Sequence, residues 1–315
     1  MRLPTLGDSL PTIQLERKIS DADAAAIAKH HPWLDATYHD PNLLISKSST
    51  VLTPQDGVLF HLIKGQLDER MLAAARPSLL KVATKRVIGG FRGASSGGLE
   101  PALRRDGSVS NHMRVPFHQN LAEAKGGVIG FFDRTSREDY CRSTSFTRDH
   151  NKEYSELLPY FQAVNRLYKD YAPEKYAAQA VHVEATHKDW IIPETIASTG
   201  TVNYNYPTTA HTDSGDCRAG LGVITTCCSG TFYGGHLCFP EYRCAVQLGH
   251  GDVLLANVHA LHGNLPLLGS PGKFERLSTI LYAREKIADC GTLTEETERF
   301  EAQIAWGAKK KSAGA

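Results

Sequence analysis

The sequence predicts an α+β protein whose helices flank a β-sandwich or jelly-roll core. From residue 153 to 171, apolar side chains recur every three or four positions, which is the spacing of an amphipathic helix packed on a sheet. After Lys175, short runs rich in Val, Ile, Thr and Tyr follow one another with turns between them and no helical period. Many short strands without intervening helices are typical of sandwiches and jelly rolls.

The individual elements each have a local signal. Ser20 precedes an Ala-rich stretch with acids in its first turn, and we expect it to cap a first helix. Residues 66–80 predict a second helix, and Thr292 is expected to cap a last helix from 295 to about 306. The Gly- and Ser-rich segment 89–98 predicts a flexible loop. The expected strands are Ala180–Thr186, Ser198–Tyr206, Gly220–Cys227, His236–Phe239, Cys244–Leu248, Val253–Val258 and Leu277–Ala283.

We expect one domain over residues 1–315, in which the first 175 residues wrap around and complete the β-core. The expected parts are a helical and irregular N-terminal part (1–125), an arginine-rich block with its support helix (126–175), the β-core (176–287), a C-terminal helix (288–308) and a disordered tail (309–315).

The charge is unevenly distributed along the chain. The formal net charge is only +1, yet the segment from Arg76 to Arg148 contains 13 Lys and Arg against 6 Asp and Glu, a local balance of +7. Such a segment can form a surface for a polyanion, or a solvated face whose charges pair locally, and the sequence leaves both readings open. The basic side chains available for phosphate contacts are Arg76, Lys81, Lys85, Arg86, Arg92, Arg104, Arg105 and Arg114.

The seven cysteines are irregularly spaced and include no CxxC pair. We therefore expect neither a disulfide framework nor a zinc site, and infer a reducing compartment. No run of about 18 apolar residues occurs, and the N-terminus has no apolar core typical of a signal peptide. The expectation is an intracellular, soluble protein without a membrane partner.

The most specific chemical signal is His211-Thr212-Asp213 followed by His262-Gly263-Asn264. Alternate residues of a strand point the same way, so His211 and Asp213 can share a face, and a later strand can bring a second histidine beside them. His259 also qualifies, but His262 follows an apolar strand and precedes a turn, so we choose His262. Two imidazoles and one carboxylate leave open positions on a metal ion, which suits non-heme Fe(II) enzymes that activate O₂. A zinc hydrolase with Asp216 as its base is the alternative.

Arg276 follows on the last expected core strand, with Ser278 on the same face. A buried arginine requires a carboxylate partner, supplied either by the protein or by a ligand. We therefore expect Arg276 to bind the carboxylate of a co-substrate, and an internal salt bridge is the alternative.

Five segments together resemble the TET/JBP family of Fe(II)- and 2-oxoglutarate-dependent dioxygenases, and most of all its phage and microbial members. The resemblance covers about half of the chain, from Gly127 onward. It implies a double-stranded β-helix fold and oxidation of the 5-methyl group of a pyrimidine in nucleic acid, with Fe(II), 2-oxoglutarate and O₂. The segments are GVIGFFDRTSREDYCRSTSFTRDH (127–150), TVNYNYPTTAHTDSGD (201–216), YGGHLCFPEYRCAV (233–246), GDVLLANVHALHGN (251–264) and ERLSTILYAREK (275–286).

The resemblance also implies roles for individual residues. The implied iron ligands, which would also be the catalytic residues, are His211, Asp213 and His262; the implied 2-oxoglutarate contacts are Arg276, Ser278 and Asn203; the implied substrate contacts are Asp216, Tyr282, Arg284 and Arg142. Animal members have a base-contacting histidine at the place of Arg284, so part of the base contact differs here.

Asp216 allows a prediction about the substrate. An ionised carboxylate accepts from the N4 amine of cytosine but faces the O4 acceptor of thymine, so we expect 5-methylcytosine to be preferred. The alternative role for Asp216 is capping a turn after Gly215. The expected partner is methylated DNA, as a flipped base or a single strand, in the cytoplasm of a phage or microbial host or in a eukaryotic nucleus. Alternatives are a dioxygenase for thymine, a free nucleoside, an amino acid or a peptide, and a non-catalytic binding module.

Overall fold

Helices cover one face of a large, mostly antiparallel sheet, whose other face packs on a smaller sheet. The computed structural model describes residues 10–55, 57–83, 85–86, 99–103, 109–116, 124–270 and 272–313. The α+β prediction is confirmed. The helices are α1 Asp21–His30, α2 Glu69–Val82, α3 Ser145–Asp149, α4 Asn151–Tyr171, α5 Pro173–Glu184 and α6 Leu293–Ala313.

The strands include every expected β-run except the first. They are β1 Thr12–Gln14, β2 Leu44–Ile45, β3 Ser49–Thr53, β4 Gly57–Ile63, β5 Lys85–Arg86, β6 Leu99–Leu103, β7 Val109–Pro116, β8 Lys125–Phe132, β9 Arg142–Ser143, β10 Thr199–Tyr204, β11 Gly222–Gly230, β12 Tyr233–Gly234, β13 Leu237–Phe239, β14 Cys244–Val246, β15 Val253–Ala256, β16 Gly263–Asn264, β17 Leu267–Leu268 and β18 Phe274–Tyr282.

The large sheet has the order β1-β3-β4-β15-β11-β18-β10-β8-β5, with β9 also paired to β8. The smaller sheet has the order β16-β13-β14-β2, and the ribbons β12-β17 and β6-β7 stand apart. The chain passes between the two larger sheets several times, for example from β14 in the smaller sheet to β15 in the large one and back to β16, as in a jelly roll. Strands β3 and β4 extend the large sheet beyond β15, so the N-terminal part is not only helical and irregular as the sequence predicts.

The alternation of side chains along β18 separates two interior regions. Leu277 and Leu281 point to the helix layer, where they join a core with α2 and α4. Residues at the alternate positions, including Ile280, point to the smaller sheet and pack against Leu237 and Phe239. The side chains at these alternate positions of β18 therefore face the space between the two sheets.

Helix α4 matches the predicted amphipathic pattern. Its buried residues include Leu157, Phe161 and Val164, which lie in the core shared with the large sheet. The buried Tyr160 hydroxyl also bonds the Thr225 hydroxyl on β11, which ties the helix to the sheet. The support helix predicted from the sequence is present.

Two assignments at other elements are wrong. Residues 180–184 are the end of helix α5 and residues 185–186 follow it, so no strand forms there, because Pro173 begins that helix and an Ala-rich stretch continues it. The last helix continues to Ala313, beyond the expected end at residue 306. Thr292 does cap it, since its hydroxyl accepts from the Glu295 backbone while the Glu295 carboxylate accepts from the Thr292 backbone. The predicted loop at 89–98 lies outside the described residues.

The cysteine prediction is also wrong in part. Cys141 and Cys290, which are 149 residues apart, form a disulfide with a Cα–Cα distance of 5.9 Å. The other five cysteines are free. Spacing in the sequence cannot reveal this bond, because the fold alone brings Cys141, within the arginine-rich block, to the segment before α6. Among the described helices, none combines the length and the apolar content that a membrane span needs.

Reduction of the Cys141–Cys290 bond is expected to lower the free energy of unfolding by about 2–5 kcal/mol, because the bond closes a very long loop in the unfolded chain. The measurement is urea unfolding of the wild type with and without dithiothreitol. The double variant Cys141→Ser/Cys290→Ser is the control, since reductant should leave its midpoint unchanged. Equal midpoints for oxidised and reduced wild type would contradict the stabilising role of the bond.

Candidate metal centre

A pair of reciprocal backbone hydrogen bonds brings the two candidate histidines together. The His211 N–H donates to the His262 carbonyl at 2.8 Å, and the His262 N–H donates to the His211 carbonyl at 2.9 Å. This isolated antiparallel bridge joins the loop after β10 to the residue just before β16. The two imidazole rings lie 4.4 Å apart between centroids. Asp213 lies two residues along the loop, as the HxD pattern predicts.

The three side chains direct their donor atoms to one point. The His211 Nε2 is 3.6 Å from the Asp213 Oδ1, and the His262 Nε2 is 3.7 Å from the Asp213 Oδ2. All three donor atoms lie within 4.8 Å of one another. Metal bonds of about 2.0–2.2 Å can span such separations. The donor set therefore fits a divalent cation that keeps open positions on its other side.

Each histidine is held in the tautomer that a metal requires. The Nδ1 of His211 lies 2.7 Å from the Thr209 carbonyl, and the Nδ1 of His262 lies 2.9 Å from the Ala260 carbonyl. A carbonyl can only accept, so Nδ1 carries the proton and Nε2 presents its lone pair. Burial, followed by the neighbouring His211, lowers the pKa of His262 to about 4, which also favours the neutral ring. His259, the alternative ligand, is not part of the cluster.

Arg276 is buried, and none of the described residues serves as its counter-ion. Its side chain is 3% exposed, and its Nε has no hydrogen-bond partner. Among the described residues, no carboxylate forms an ion pair with it, so the internal salt bridge is not observed in this part of the chain. Burial lowers the pKa of Arg276. A Cβ added to Gly235 would be in ordinary contact with the Arg276 Nε at 3.6 Å and too close to the Leu267 Cδ1 at 2.9 Å. An unpaired buried cation of this kind fits the carboxylate of 2-oxoglutarate.

The other expected co-substrate contacts lie on the same face as Arg276. Ser278 is two residues further along β18, and Asn203 on β10 is directly opposite Ser278 in the antiparallel register. Both side chains are buried. Directly opposed residues share a face of the sheet, so the three polar side chains line one wall between the sheets.

Two neighbours of Arg276 were not singled out from the sequence. His236 is partly buried just before β13, and burial, followed by the positive charge of Arg276, lowers its pKa. Cys228 on β11 is directly opposite Arg276. The available signal for His236 was its position at the start of a strand inside the YGGHLCFP segment, where a histidine is out of place in an apolar run.

The expected substrate residues gather at the other end of β18. Residues Asp216 and Arg284 form an isolated antiparallel bridge, which places both beside the metal-ligand loop. Burial, and next the charge of Asp213, raise the pKa of Asp216 well above its usual range, while Arg284 opposes this shift. The Tyr282 hydroxyl lies 3.4 Å from the Thr201 hydroxyl. The turn-capping role of Asp216 is not apparent, because its side chain makes no hydrogen bond to a described backbone N–H.

Arg142 lies near this group through a shared aromatic ring. Its guanidinium is 5.1 Å from the centroid of Phe132, and the Arg284 guanidinium is 5.8 Å from the same centroid. Arg142 also forms an ion pair with Glu138. The structure therefore brings Arg142, Arg284 and Asp216 to one end of the core, as the substrate assignment expects.

Five of the seven basic side chains that the structure describes in the segment from Arg76 to Arg148 form ion pairs with a carboxylate, and Lys125 and Arg137 form none. The observed pairs are Arg76–Glu275, Lys81–Glu153, Arg134–Glu296, Arg142–Glu138 and Arg148–Asp149. For these residues the solvated-face reading fits better than a free polyanion surface. The side chains of Lys85, Arg86, Arg92, Arg104, Arg105 and Arg114 lie outside the described part of the structure.

Two facing sheets, a His-Asp-His cluster and a buried unpaired arginine define the class of non-heme iron oxygenases that use 2-oxoglutarate. Residues 127–285 match the family profile Tet/JBP, described as the oxygenase domain of the 2OGFeDO superfamily. The chain belongs to this Tet/JBP family. The predicted family, the jelly-roll fold and the cofactors Fe(II), 2-oxoglutarate and O₂ are thereby confirmed, and the zinc hydrolase alternative is set aside.

Individual relatives match the chain over part of their length. JBP2 of Leishmania major, named a bifunctional helicase and thymine dioxygenase, is 32% identical over 193 residues, which are 61% of this chain and 17% of that protein. JBP1 of Trypanosoma brucei brucei, named a thymine dioxygenase, is 30% identical over 185 residues, 56% of this chain and 21% of that protein. The matched part of this chain thus spans about a fifth of these relatives.

Among solved structures, NgTET1 in complex with 5mC DNA has a TM-score of 0.52 and 10% sequence identity, and the match covers 82% of this chain and 86% of that chain. At this identity the likeness shows a shared fold. The match covers a larger share of the chain than residues 127–285.

Replacement of any one of His211, Asp213 or His262 by alanine is expected to weaken Fe(II) binding by more than about 100-fold, which exceeds the loss caused by outer-shell changes. The measurement is anaerobic calorimetric titration with Fe(II). His259→Gln is the matched control and should bind Fe(II) within about threefold of wild type. Loss of binding in His259→Gln together with retention in His262→Ala would show that the wrong histidine has been assigned.

Replacement of Arg276 by methionine is expected to abolish the thermal stabilisation that 2-oxoglutarate gives the metal-loaded protein. At 100 times its Kd, the ligand should stabilise wild type by about 2.7 kcal/mol. Without the ligand, the variant should be at least as stable as wild type, because an unpaired buried charge has been replaced by an apolar chain. A variant that is less stable alone, yet still stabilised by 2-oxoglutarate, would contradict this assignment.

Proposed function

We propose that this chain oxidises the 5-methyl group of a pyrimidine in DNA, with conversion of 5-methylcytosine to 5-hydroxymethylcytosine as its preferred reaction. The main support is the bridge between Asp216 and Arg284, which sets an acceptor and a donor side by side next to the metal-ligand loop. Such a pair can hydrogen-bond the edge of a base. The activity for which the relatives are named and the DNA in the NgTET1 complex agree with a nucleic-acid substrate.

The residues at the centre have distinct tasks in this proposal. His211, Asp213 and His262 would hold the iron, and Arg276 with Ser278 and Asn203 would orient 2-oxoglutarate by its carboxylate. When bound, the iron supplies the activation of O₂ that an unreactive methyl C–H bond requires. The protein binds both substrates in fixed positions and excludes water from the space between the sheets. His236 adds a further polar group near Arg276.

The substrate end recognises a base by hydrogen bonds and aromatic contact. Burial and the charge of Asp213 raise the pKa of Asp216, while the Arg284 charge favours the ionised carboxylate, which in this proposal accepts from the N4 amine of cytosine. The Arg284 guanidinium donates to an acceptor on the same edge of the base. The Tyr282 ring provides a surface on which the base can pack. A base within a duplex does not reach such a buried site, so the nucleotide must be flipped out or already single-stranded. Arg142 supplies positive charge for the adjoining backbone.

Thymine is the second candidate base. The relatives with 30–32% identity are named thymine dioxygenases. Thymine presents O4 where cytosine presents N4, and the guanidinium of Arg284 is a donor that can serve O4. The two candidates differ in which side chain contacts position 4 of the ring, Asp216 for cytosine and Arg284 for thymine.

Mass spectrometry of nucleosides tests the proposal. Matched single-stranded oligonucleotides contain either one 5-methylcytosine or one thymine at the same position, and are incubated with enzyme, Fe(II), 2-oxoglutarate and O₂. We expect 5-hydroxymethylcytosine to form, at a kcat/KM about tenfold above that of thymine oxidation, because one well-placed contact discriminates bases by about 1–3 kcal/mol. His211→Ala should form no product.

Three outcomes would contradict parts of the proposal. Hydroxylated thymine as the main product would favour the second candidate. Turnover of free methylated nucleoside at the same kcat/KM as the oligonucleotide would exclude DNA as the preferred substrate. Consumption of 2-oxoglutarate with an amino acid or peptide, and none with either oligonucleotide, would remove nucleic acid from the function altogether.

A further inference from the structure

Arg284 lies between two buried carboxylates, but forms an ion pair with only one of them. Its Nε donates to the Asp133 Oδ1 at 2.6 Å. The second carboxylate is that of Asp216. The backbones of Arg284 and Asp216 pair directly, so their side chains begin at opposite positions of this bridge. Asp133 is 4% exposed and Asp216 is 9% exposed. Among the described residues, Asp216 has no ion-pair partner within 4 Å, although the nearby Arg284 charge opposes the rise of its pKa.

The position of Arg284 is determined by several contacts besides Asp133. Its backbone N–H donates to the Ser198 hydroxyl at 3.0 Å, and its carbonyl lies 3.1 Å from the His182 Nε2. The next residue, Glu285, donates its N–H to the Gly215 carbonyl at 2.9 Å. Hydrogen bonds therefore fix the backbone at Arg284 and at the next residue. Only the Arg284 side chain can move to a different partner.

The two ends of the guanidinium face different surroundings. The Nε end is bonded to Asp133, and the plane lies near the Phe132 ring. The Nη2 atom lies 3.9 Å from the place where a Cβ on Gly215 would stand. Gly215 directly precedes Asp216. The Arg284 Nη2 therefore lies next to the loop that joins the metal ligands to Asp216. The glycine keeps the space between these donors and that loop free of a side chain.

We propose that Asp133 is a positioning residue, which holds Arg284 by its Nε so that the Nη donors and the Asp216 carboxylate both remain available to a substrate base. This inference rests on the proposed function. A guanidinium has five N–H donors and pairs with the nearest carboxylate that geometry allows. Without the charge of Asp133, the nearest buried carboxylate is that of Asp216. A pair between Arg284 and Asp216 would occupy the acceptor and the donor that the base requires.

The geometry also indicates which property Asp133 controls. The Arg284–Asp133 pair is at the far end of β18 from Arg276, so it does not contact the co-substrate wall. Loss of the Asp133 charge should therefore impair recognition of the base and leave metal and 2-oxoglutarate binding intact. A residue needed only for folding would instead affect all three together.

The experiment compares Asp133→Asn with wild type on the paired 5-methylcytosine and thymine oligonucleotides. We expect the KM for DNA to rise about tenfold and the preference between the two bases to fall about tenfold, as for the loss of one specific base contact. The KM for 2-oxoglutarate and the affinity for Fe(II) should stay within about twofold of wild type. The control is Asp139→Asn, the same chemical change at an exposed carboxylate in the same segment, which should change none of these values.

A double variant tests whether Asp133 acts through Arg284. In the Arg284→Met background, adding Asp133→Asn should change the KM for DNA by less than about twofold, because no guanidinium remains to be positioned. Independent effects that multiply in the double variant would overturn the inference. So would an unchanged base preference in Asp133→Asn, or a parallel rise in the KM for 2-oxoglutarate.

Two further controls separate folding from function. Where Asp133→Asn fails to fold, the conservative Asp133→Glu and the folded double variant are used, and a base preference in Asp133→Glu as low as in Arg284→Met would overturn the proposal. If wild type oxidises neither oligonucleotide, the proposed function fails and this inference fails with it. If wild type turns over DNA while Asp133→Asn matches it in every constant, only the present inference fails.

Discussion

The whole centre depends on one backbone contact, the reciprocal hydrogen bonds between His211 and His262. They fix the distance between a loop that follows β10 and the start of β16, which belong to different sheets. Because the side chains follow the backbone, the bridge also fixes where the two Nε2 atoms can meet. Asp213 is then added by the local geometry of the same loop. The metal site is in this sense a consequence of how the two sheets are joined.

The space between the sheets is where stability and function conflict. Along β18, alternate positions point to the helix core and to this space, so Leu277 contributes to packing while its neighbours Arg276 and Ser278 do not. An arginine buried without a counter-ion destabilises the protein until a ligand supplies the charge. The large apolar core formed with α2 and α4 offsets this cost on the other face of the same strand. One strand therefore serves both requirements.

Sequence patterns predicted those parts of the centre that depend on short-range periodicity. His211 with Asp213, and Arg276 with Ser278, are two residues apart on extended chain, so their shared face follows from the alternation of side chains. Asp133 and His236 could not be assigned this way, because each meets its arginine across the fold. The same reason explains the missed Cys141–Cys290 bond. The strand wrongly expected at 180–186 shows that short-range patterns can also mislead. A short apolar run does not distinguish a strand from a helix by its periodicity alone.

The two arginines of this region show how pairing can match the charge of a ligand. Arg276 lies near the start of β18 and Arg284 lies two residues beyond its end, roughly 27 Å apart along an extended chain. Arg276 has no carboxylate partner among the described residues, and the ligand that the family places there brings its own negative charge. Arg284 is already neutralised by Asp133, and the proposed ligand beside it is an uncharged base. An unpaired guanidinium there would attract an anion in preference to a base. The arginine with a carboxylate partner, Arg284, therefore suits a neutral substrate. The arginine without one among the described residues, Arg276, suits a charged co-substrate.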